Sequence, residues 1–295
     1  MRRSGAGAAC VHATRYSPLT SPPRSPYYWN ASLLGYGTAA GMATIELTPT
    51  MHGALLRFTF PKPVAGAADV GYNQTRRVLV ALPGGPRDAA ALPAPAPGAL
   101  LTLTGASSSN SGGVDASFAH YFYATLGGGT DGAGNAPVTP LSTAVAPDGA
   151  AYAFVDFDPT DAATDTLVLR IATSLISPAQ AAANHAAEVA GVAFDAARAT
   201  AKARWHTEAA RAAVVDVGPG LTDKQASDYM TIFYSSLYRA SKYPRAAWET
   251  DATTQQPIHM SPYTGKVEPG VFSTDQGCGK AGARARRIRE RARAE

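Results

Sequence analysis

From Met42 to Thr173, apolar and polar residues recur with a period of two. Ala54, Leu56, Phe58 and Phe60 alternate with Leu55, Arg57 and Thr59, which predicts a strand with one face in a core. Met42 to Thr48 precedes it across Pro49-Thr50-Met51-His52 and reads as its hairpin partner. Further strands are expected at Arg77 to Leu82, Leu100 to Thr104, Ser117 to Thr125, Ala151 to Phe157 and Thr166 to Thr173. Pro- and Gly-rich connectors at 83–98 and 127–140 separate them, and no helical period intervenes. Short strands so spaced predict an antiparallel β-sandwich.

At Ser177 the period changes. Ser177-Pro178-Ala179-Gln180 places an N-cap serine before a proline and a glutamine at N3, a capping-box pattern that opens a helix toward Val189. Gly191 interrupts it, Asp195 is placed to cap a second helix through Ala213, and Thr222-Asp223-Lys224-Gln225 opens a third that ends before Pro244. In this third helix Ala226, Tyr229, Met230, Phe233 and Leu237 form an apolar stripe at spacings of three and four. The fold class is therefore mainly β with C-terminal α.

The 295 residues are 45% hydrophobic, without an apolar run of membrane-spanning length, so no membrane span is expected. Residues 280–295 hold one Lys, six Arg and two Glu, a net charge of +5, so residues 1–279 together carry −1. The basic character belongs to the tail, which can attract anionic surfaces by charge alone; no specific nucleic-acid binding is expected. Cys10 and Cys278 form no metal or disulfide pattern. The N-terminal segment lacks the apolar h-region of a secretory signal. Asn30-Ala31-Ser32 and Asn73-Gln74-Thr75 are sequons that matter only in a secretory compartment.

The candidate chemistry is sparse. Asp156, Asp158, Asp161 and Asp165 could offer hard oxygens to calcium, but the Asp/Pro/Thr composition between two strands reads first as a turn. His52 and His120 read as structural. Gly127-Gly128-Gly129-Thr130-Asp131-Gly132 lacks the lysine of a phosphate loop and reads as a flexible turn. Tyr27, Tyr28, Trp29 and Trp248 are the aromatics expected at the surface, where flat rings either stack on sugars or anchor loops.

Several segments resemble glycoside hydrolase family 92. They are Met42 to Thr50 with Leu56 to Pro61; Ile176 to Asn184 with Phe194 to Arg198 and Ala203-Arg204-Trp205; Phe233 to Arg239; Tyr263 to Val267; and Phe272-Ser273-Thr274-Asp275-Gln276-Gly277. Their order spans residues 26–277. The resemblance implies a sandwich, a helical connector and an (α/α)6 barrel, with calcium-dependent, inverting exo-α-mannosidase activity on N-glycan-type mannosides and a secretory or secreted location. After Gly277 the family continues Phe-Trp-Asp-Thr, where this chain has Cys278-Gly279-Lys280-Ala281.

The expected organisation is an irregular segment over 1–25, a β-sandwich over 26–175, a helical connector over 176–215, the start of an incomplete barrel over 216–277 and a basic tail over 278–295, read as a truncation or frameshift after Gly277. No catalytic residue and no metal ligand is expected in the chain, and none of the family's calcium is expected to bind. Asp275 and Trp29 are the candidate substrate contacts, and mannose-containing glycans are the implied partners. The alternative is a stand-alone carbohydrate-binding or protein-interaction sandwich using Tyr27 to Trp29, which requires the helices after 177 to close on the sandwich.

Overall fold

The computed structural model describes residues 25–33, 43–62, 75–82, 88–93, 98–109, 114–129, 133–145, 152–210, 212, 214, 218–241 and 245–274. Asp275, both cysteines, Asn73 and the basic tail lie outside these residues. The chain divides into two compact units, Met1–Ala203 and Arg204–Glu295. No helix among the described residues is long and apolar enough to cross a membrane.

The first unit is built on a seven-stranded antiparallel sheet in the order β1-β2-β3-β10-β7-β6-β5. Its strands are β1 (Trp29–Leu33), β2 (Ala43–Pro49), β3 (Gly53–Thr59), β5 (Ala89–Ala91), β6 (Leu101–Ser107), β7 (His120–Gly128) and β10 (Thr166–Ser174). A smaller sheet, ordered β4-β9-β8, comprises β4 (Arg76–Ala81), β8 (Ser142–Val145) and β9 (Tyr152–Phe157). Val78, Ala153, Val155 and Phe157 of the small sheet meet Leu103, Phe122, Ala124, Leu126, Leu167 and Leu169 of the large one in a single buried core. This is the expected antiparallel sandwich. The β2–β3 hairpin forms as read, with Leu47 opposite Leu56.

Each of the seven strands expected from periodicity is present. The three described strands of the first unit not expected, β1, β5 and β8, all lie at sheet edges. An edge strand has one neighbour and a partly wetted face, so its residues need not alternate as sharply.

The central strand β10 is buried on both faces. Leu167 and Leu169 enter the sandwich core, while Val168 points to the opposite face, where it meets Leu55, Val189, Phe194 and Ala197. That second cluster is closed by α1 (Pro178–Glu188) and the start of α2 (Phe194–Ala209). The first unit therefore has three layers, with helices covering the outer face of the large sheet.

Ser177 caps α1, accepting from the backbone N–H of Gln180 at 3.1 Å. The Gln180 side chain does not turn back to complete a capping box; it donates to Asn184 Oδ1 at 3.0 Å, and Asn184 donates to the Thr173 carbonyl at 2.9 Å. Two expectations for α2 are corrected: it begins at Phe194, with Asp195 inside its first turn, and it ends at Ala209. Asp195 is drawn away from a cap by Arg57, whose Nη1 donates to it at 2.9 Å.

Gly127 and Gly128 are also corrected: they are the last residues of β7, paired with Val168 and Leu167. A Cβ on Gly128 would collide with the Ala163 carbonyl oxygen, and one on Gly127 with that of Gly134. Glycine is needed there for close approach of backbones, not for flexibility.

In the second unit, α3 (Asp223–Ala240) starts with a complete capping box between Thr222 and Gln225, as the sequence predicts. Two small sheets follow: β11 (Arg245–Ala246) with β15 (Ser273–Thr274), and the meander of β12 (Glu249–Thr250), β13 (Pro257–Met260) and β14 (Val267–Pro269).

Candidate functional site

A polar constellation lies on the helix-facing side of β2 and β3. Glu46 and Arg57 are register partners on neighbouring strands. Arg57 grips the Glu46 carboxylate with two parallel bonds, Nε to Oε2 at 2.6 Å and Nη2 to Oε1 at 2.9 Å. The Tyr28 hydroxyl donates to Oε1 at 2.7 Å, and the Arg57 guanidinium lies 4.3 Å from the Phe194 ring centroid. Arg198 of α2 sits 3.7 Å from the Tyr28 ring centroid. Burial opposes ionisation of Glu46, but hydrogen bonds from Arg57 and Tyr28 outweigh it and hold the carboxyl below its usual range. Glu46 is thus a fixed anion that orients Arg57 and Tyr28, and these two meet Asp195, Phe194 and Arg198 of α2.

A second clasp joins the β2–β3 turn to the end of α1. Glu188 Oε2 accepts from Thr50 Oγ1 at 2.7 Å and from the His52 backbone N–H at 2.9 Å, while Oε1 lies 2.5 Å from His52 Nδ1. Burial raises the Glu188 pKa and these bonds lower it; the lowering prevails. His52 is structural, as expected.

The Asp156 to Asp165 stretch does not converge on a cation. Asp156 is bound by Arg77, Nε to Oδ1 at 2.6 Å and Nη2 to Oδ2 at 2.7 Å, and by Ser142 Oγ at 2.9 Å. Asp158 accepts from the Thr160 backbone N–H at 2.8 Å and from its hydroxyl at 2.7 Å. Asp161 caps a short 3-10 turn over Ala162–Thr164, and Asp165 pairs with Arg76 at 2.5 Å. Asp156 and Asp158 do not share a strand face, because β9 ends at Phe157. Among the described residues, no three His, Cys, Asp or Glu side chains are grouped to hold a metal ion, and these donors do not fit calcium, since each is already committed to a structural partner.

Trp29 opens β1 opposite Leu47 and is half-buried. Tyr27, Tyr28 and Trp248 are likewise half-buried rather than exposed. Tyr28 is consumed by Glu46 and Arg198, which is the anchoring role. The open aromatics are elsewhere: α3 buries no residue, and it exposes Tyr229, Ile232, Phe233, Tyr234 and Tyr238. Ala226, Met230 and Leu237, at the centre of the expected stripe, are half-buried, and Trp205 packs against Tyr238 at 5.5 Å between centroids.

Beyond α3, His259 stacks on Phe272 with centroids 5.0 Å apart, and its Nδ1 lies 3.1 Å from the Gly270 carbonyl oxygen. Glu249, the register partner of Ile258, and Ser261 are buried too. Sequence reading missed this group and the Glu46–Arg57 pair. For the pair a signal existed: once β2 and β3 are taken as a hairpin, counting from the turn sets Glu46 opposite Arg57.

Residues 180–275 match the model described as the glycosyl hydrolase family 92 catalytic domain. Among solved structures, the chain is similar to a family GH92 inverting mannosidase from Bacteroides thetaiotaomicron VPI-5482, at 26% identity and TM-score 0.67, covering 89% of this chain and 31% of that one. A GH92 family glycosyl hydrolase shares the fold at 20% identity and TM-score 0.66, covering 89% and 33%. A family GH92 α-mannosidase from Bacteroides thetaiotaomicron, in complex with mannoimidazole, does so at 18% identity and TM-score 0.55, covering 88% and 31%. No curated protein matches the chain. The resemblance to glycoside hydrolase family 92 holds in both sequence and fold, and the chain spans about a third of the length of the solved structures it matches.

Proposed function

We propose that this chain is the sandwich, connector and opening helical portion of an α-mannosidase-like glycoside hydrolase acting on N-glycan-type mannosides, and that by itself it is non-catalytic. The observation that carries the reading is the similarity to an inverting mannosidase along 89% of the chain, joined to the family match over residues 180–275.

Four of the described carboxylates bear on the second half. An inverting glycosidase needs a carboxylic acid kept protonated to donate to the leaving oxygen, and a carboxylate base roughly 6.5–9.5 Å away to activate water. Glu46, Asp158, Glu188 and Asp251 are all shifted the other way, below their usual values. Glu46 is spent on Arg57 of the neighbouring strand, and Glu188 on the β2–β3 turn. These groups position a scaffold; they are not poised to donate a proton. Asp275 remains the proposed candidate contact at the edge of a sugar site, and Trp29 is the candidate on the sandwich.

One observation favours the alternative of a self-contained carbohydrate-binding or interaction module. Val189 and Phe194 are fully buried against Leu55 and Val168, so α1 and the first turn of α2 do close on the sandwich. Titration of the chain with mannose oligosaccharides reads that function directly.

The test of the main reading is release of mannose from a synthetic α-mannoside by the purified chain, with and without Ca²⁺. No turnover is expected. EDTA-sensitive release that scales with protein concentration overturns the non-catalytic assignment.

A further inference from the structure

A helix docked on a sheet through a buried imidazole is held by a group whose charge changes near neutral pH. His185 of α1 is 5% exposed. Its Nε2 lies 3.0 Å from Thr125 Oγ1 of β7, and its ring meets Tyr123 edge-on with centroids 5.0 Å apart. Thr125 and Arg170 are register partners, so the ring meets β7 at the rung where the neighbouring β10 carries the Arg170 side chain.

The elements packed on α1 are β10, β7, β3 and β6. From β10 comes the guanidinium of Arg170, fully buried and bonded to the carbonyl oxygens of Ala133, Gly134 and Val192 and to Asn135 Oδ1. From β7 come the phenol rings of Tyr123 and of Tyr121, two residues before it on the same face. Arg57 of β3 is committed to Glu46 and Asp195, and His52 of the β2–β3 turn to Glu188 of α1 itself. The residues of β6 carry no titratable side chain. The charge acting on the His185 ring is that of Arg170, and it opposes a second cation.

We propose that α1 is an acid-releasable latch: neutral His185 holds it on the large sheet, and protonation of that imidazole in mildly acidic solution lets it go. Burial first, and the Arg170 charge second, hold the ring below its ordinary pKa of 6.5 while docked. Released, the ring regains its ordinary basicity. The released state therefore binds more protons between the two values, and docking weakens as pH falls below about 6.5, by up to about tenfold per pH unit. Release uncovers Leu55 and Val168, on which Val189 packs. The latch does not depend on the mannosidase reading.

Amide hydrogen exchange of the full chain between pH 7.5 and 5.0, corrected for intrinsic rates, tests it. Protection of α1 amides should fall below pH 6.5, by up to about tenfold per unit, relative to the amides of β7 and β10. A His185→Gln variant, whose side chain keeps one donor and one acceptor, should show a flat profile. Equal pH slopes in wild type and variant overturn the proposal. Where the variant fails to fold, ring NMR of the wild-type chain decides: a His185 that becomes protonated near pH 6.5 while α1 stays protected overturns it too.

Discussion

Replacing Arg170 by Met tests the largest fully buried side chain of the first unit. Its guanidinium donates to Gly134 O at 2.7 Å, to Asn135 Oδ1 at 2.8 Å, to Val192 O at 3.0 and 3.2 Å from two nitrogens, and to Ala133 O. One side chain thus ties the segment after β7 to the α1–α2 connection. Methionine keeps most of the apolar stem, so the cavity contribution is small, but four acceptors lose their donor. A buried acceptor left unpaired costs about 1–3 kcal/mol, and partly buried ones less because water can reach them. The sum is about 3 kcal/mol, since Gly134 O is deeply buried and the others sit nearer solvent. For a unit of this size that lowers the thermal midpoint by roughly 6–12 °C. The assay is urea and thermal unfolding of wild type, Arg170→Met and Arg170→Lys. Lysine has the charge but not the planar fork that reaches both segments, so it should recover only a minor part of the loss. Midpoints within about 1 kcal/mol of wild type for Met, or full rescue by Lys, would refute the account of Arg170 as a two-loop pin.

Glu188→Gln should destabilise the chain by about 1–2 kcal/mol at pH 7, because the carboxylate accepts three bonds from Thr50 and His52. Since the folded pKa of Glu188 lies below 4.5, its contribution is complete above that value and is lost as pH falls through the folded pKa; the gap between wild type and variant in urea midpoints should narrow below pH 4.5. On α3, Ile232→Glu and Tyr229→Glu should leave stability within about 0.5 kcal/mol, as these side chains are 60% and 56% exposed, while reducing binding of a hydrophobic dye. A loss of several kcal/mol in either variant would mean that this face is covered in solution.

The order of elements was written in the chain. A period of two names β2, β3, β4, β6, β7, β9 and β10, because a half-buried strand must alternate whichever strand it pairs with. Ser177 and Thr222 mark their helices because capping satisfies backbone donors within one turn. The family resemblance, too, was legible from five short segments in order. What periodicity could not report is which strands become edges, as β1, β5 and β8 do, or that β10 lies at the centre with cores on both faces; pairing partners are far apart in sequence, and only the closed sheet sets them. The same holds for the polar groups. Asp156 looked like a possible calcium ligand and Tyr28 like a sugar platform, since a side chain's chemistry is local information. Arg77 and Ser142 claim the first, and Glu46 and Arg198 the second, from positions that only the tertiary structure brings within hydrogen-bond or ring contact. His185 and Glu188, four and one residues from the end of the helix-forming run at Val189, carry no motif at all. Their roles exist because folding buries one beside Arg170 and aims the other at the β2–β3 turn, where desolvation and charge decide what each can do.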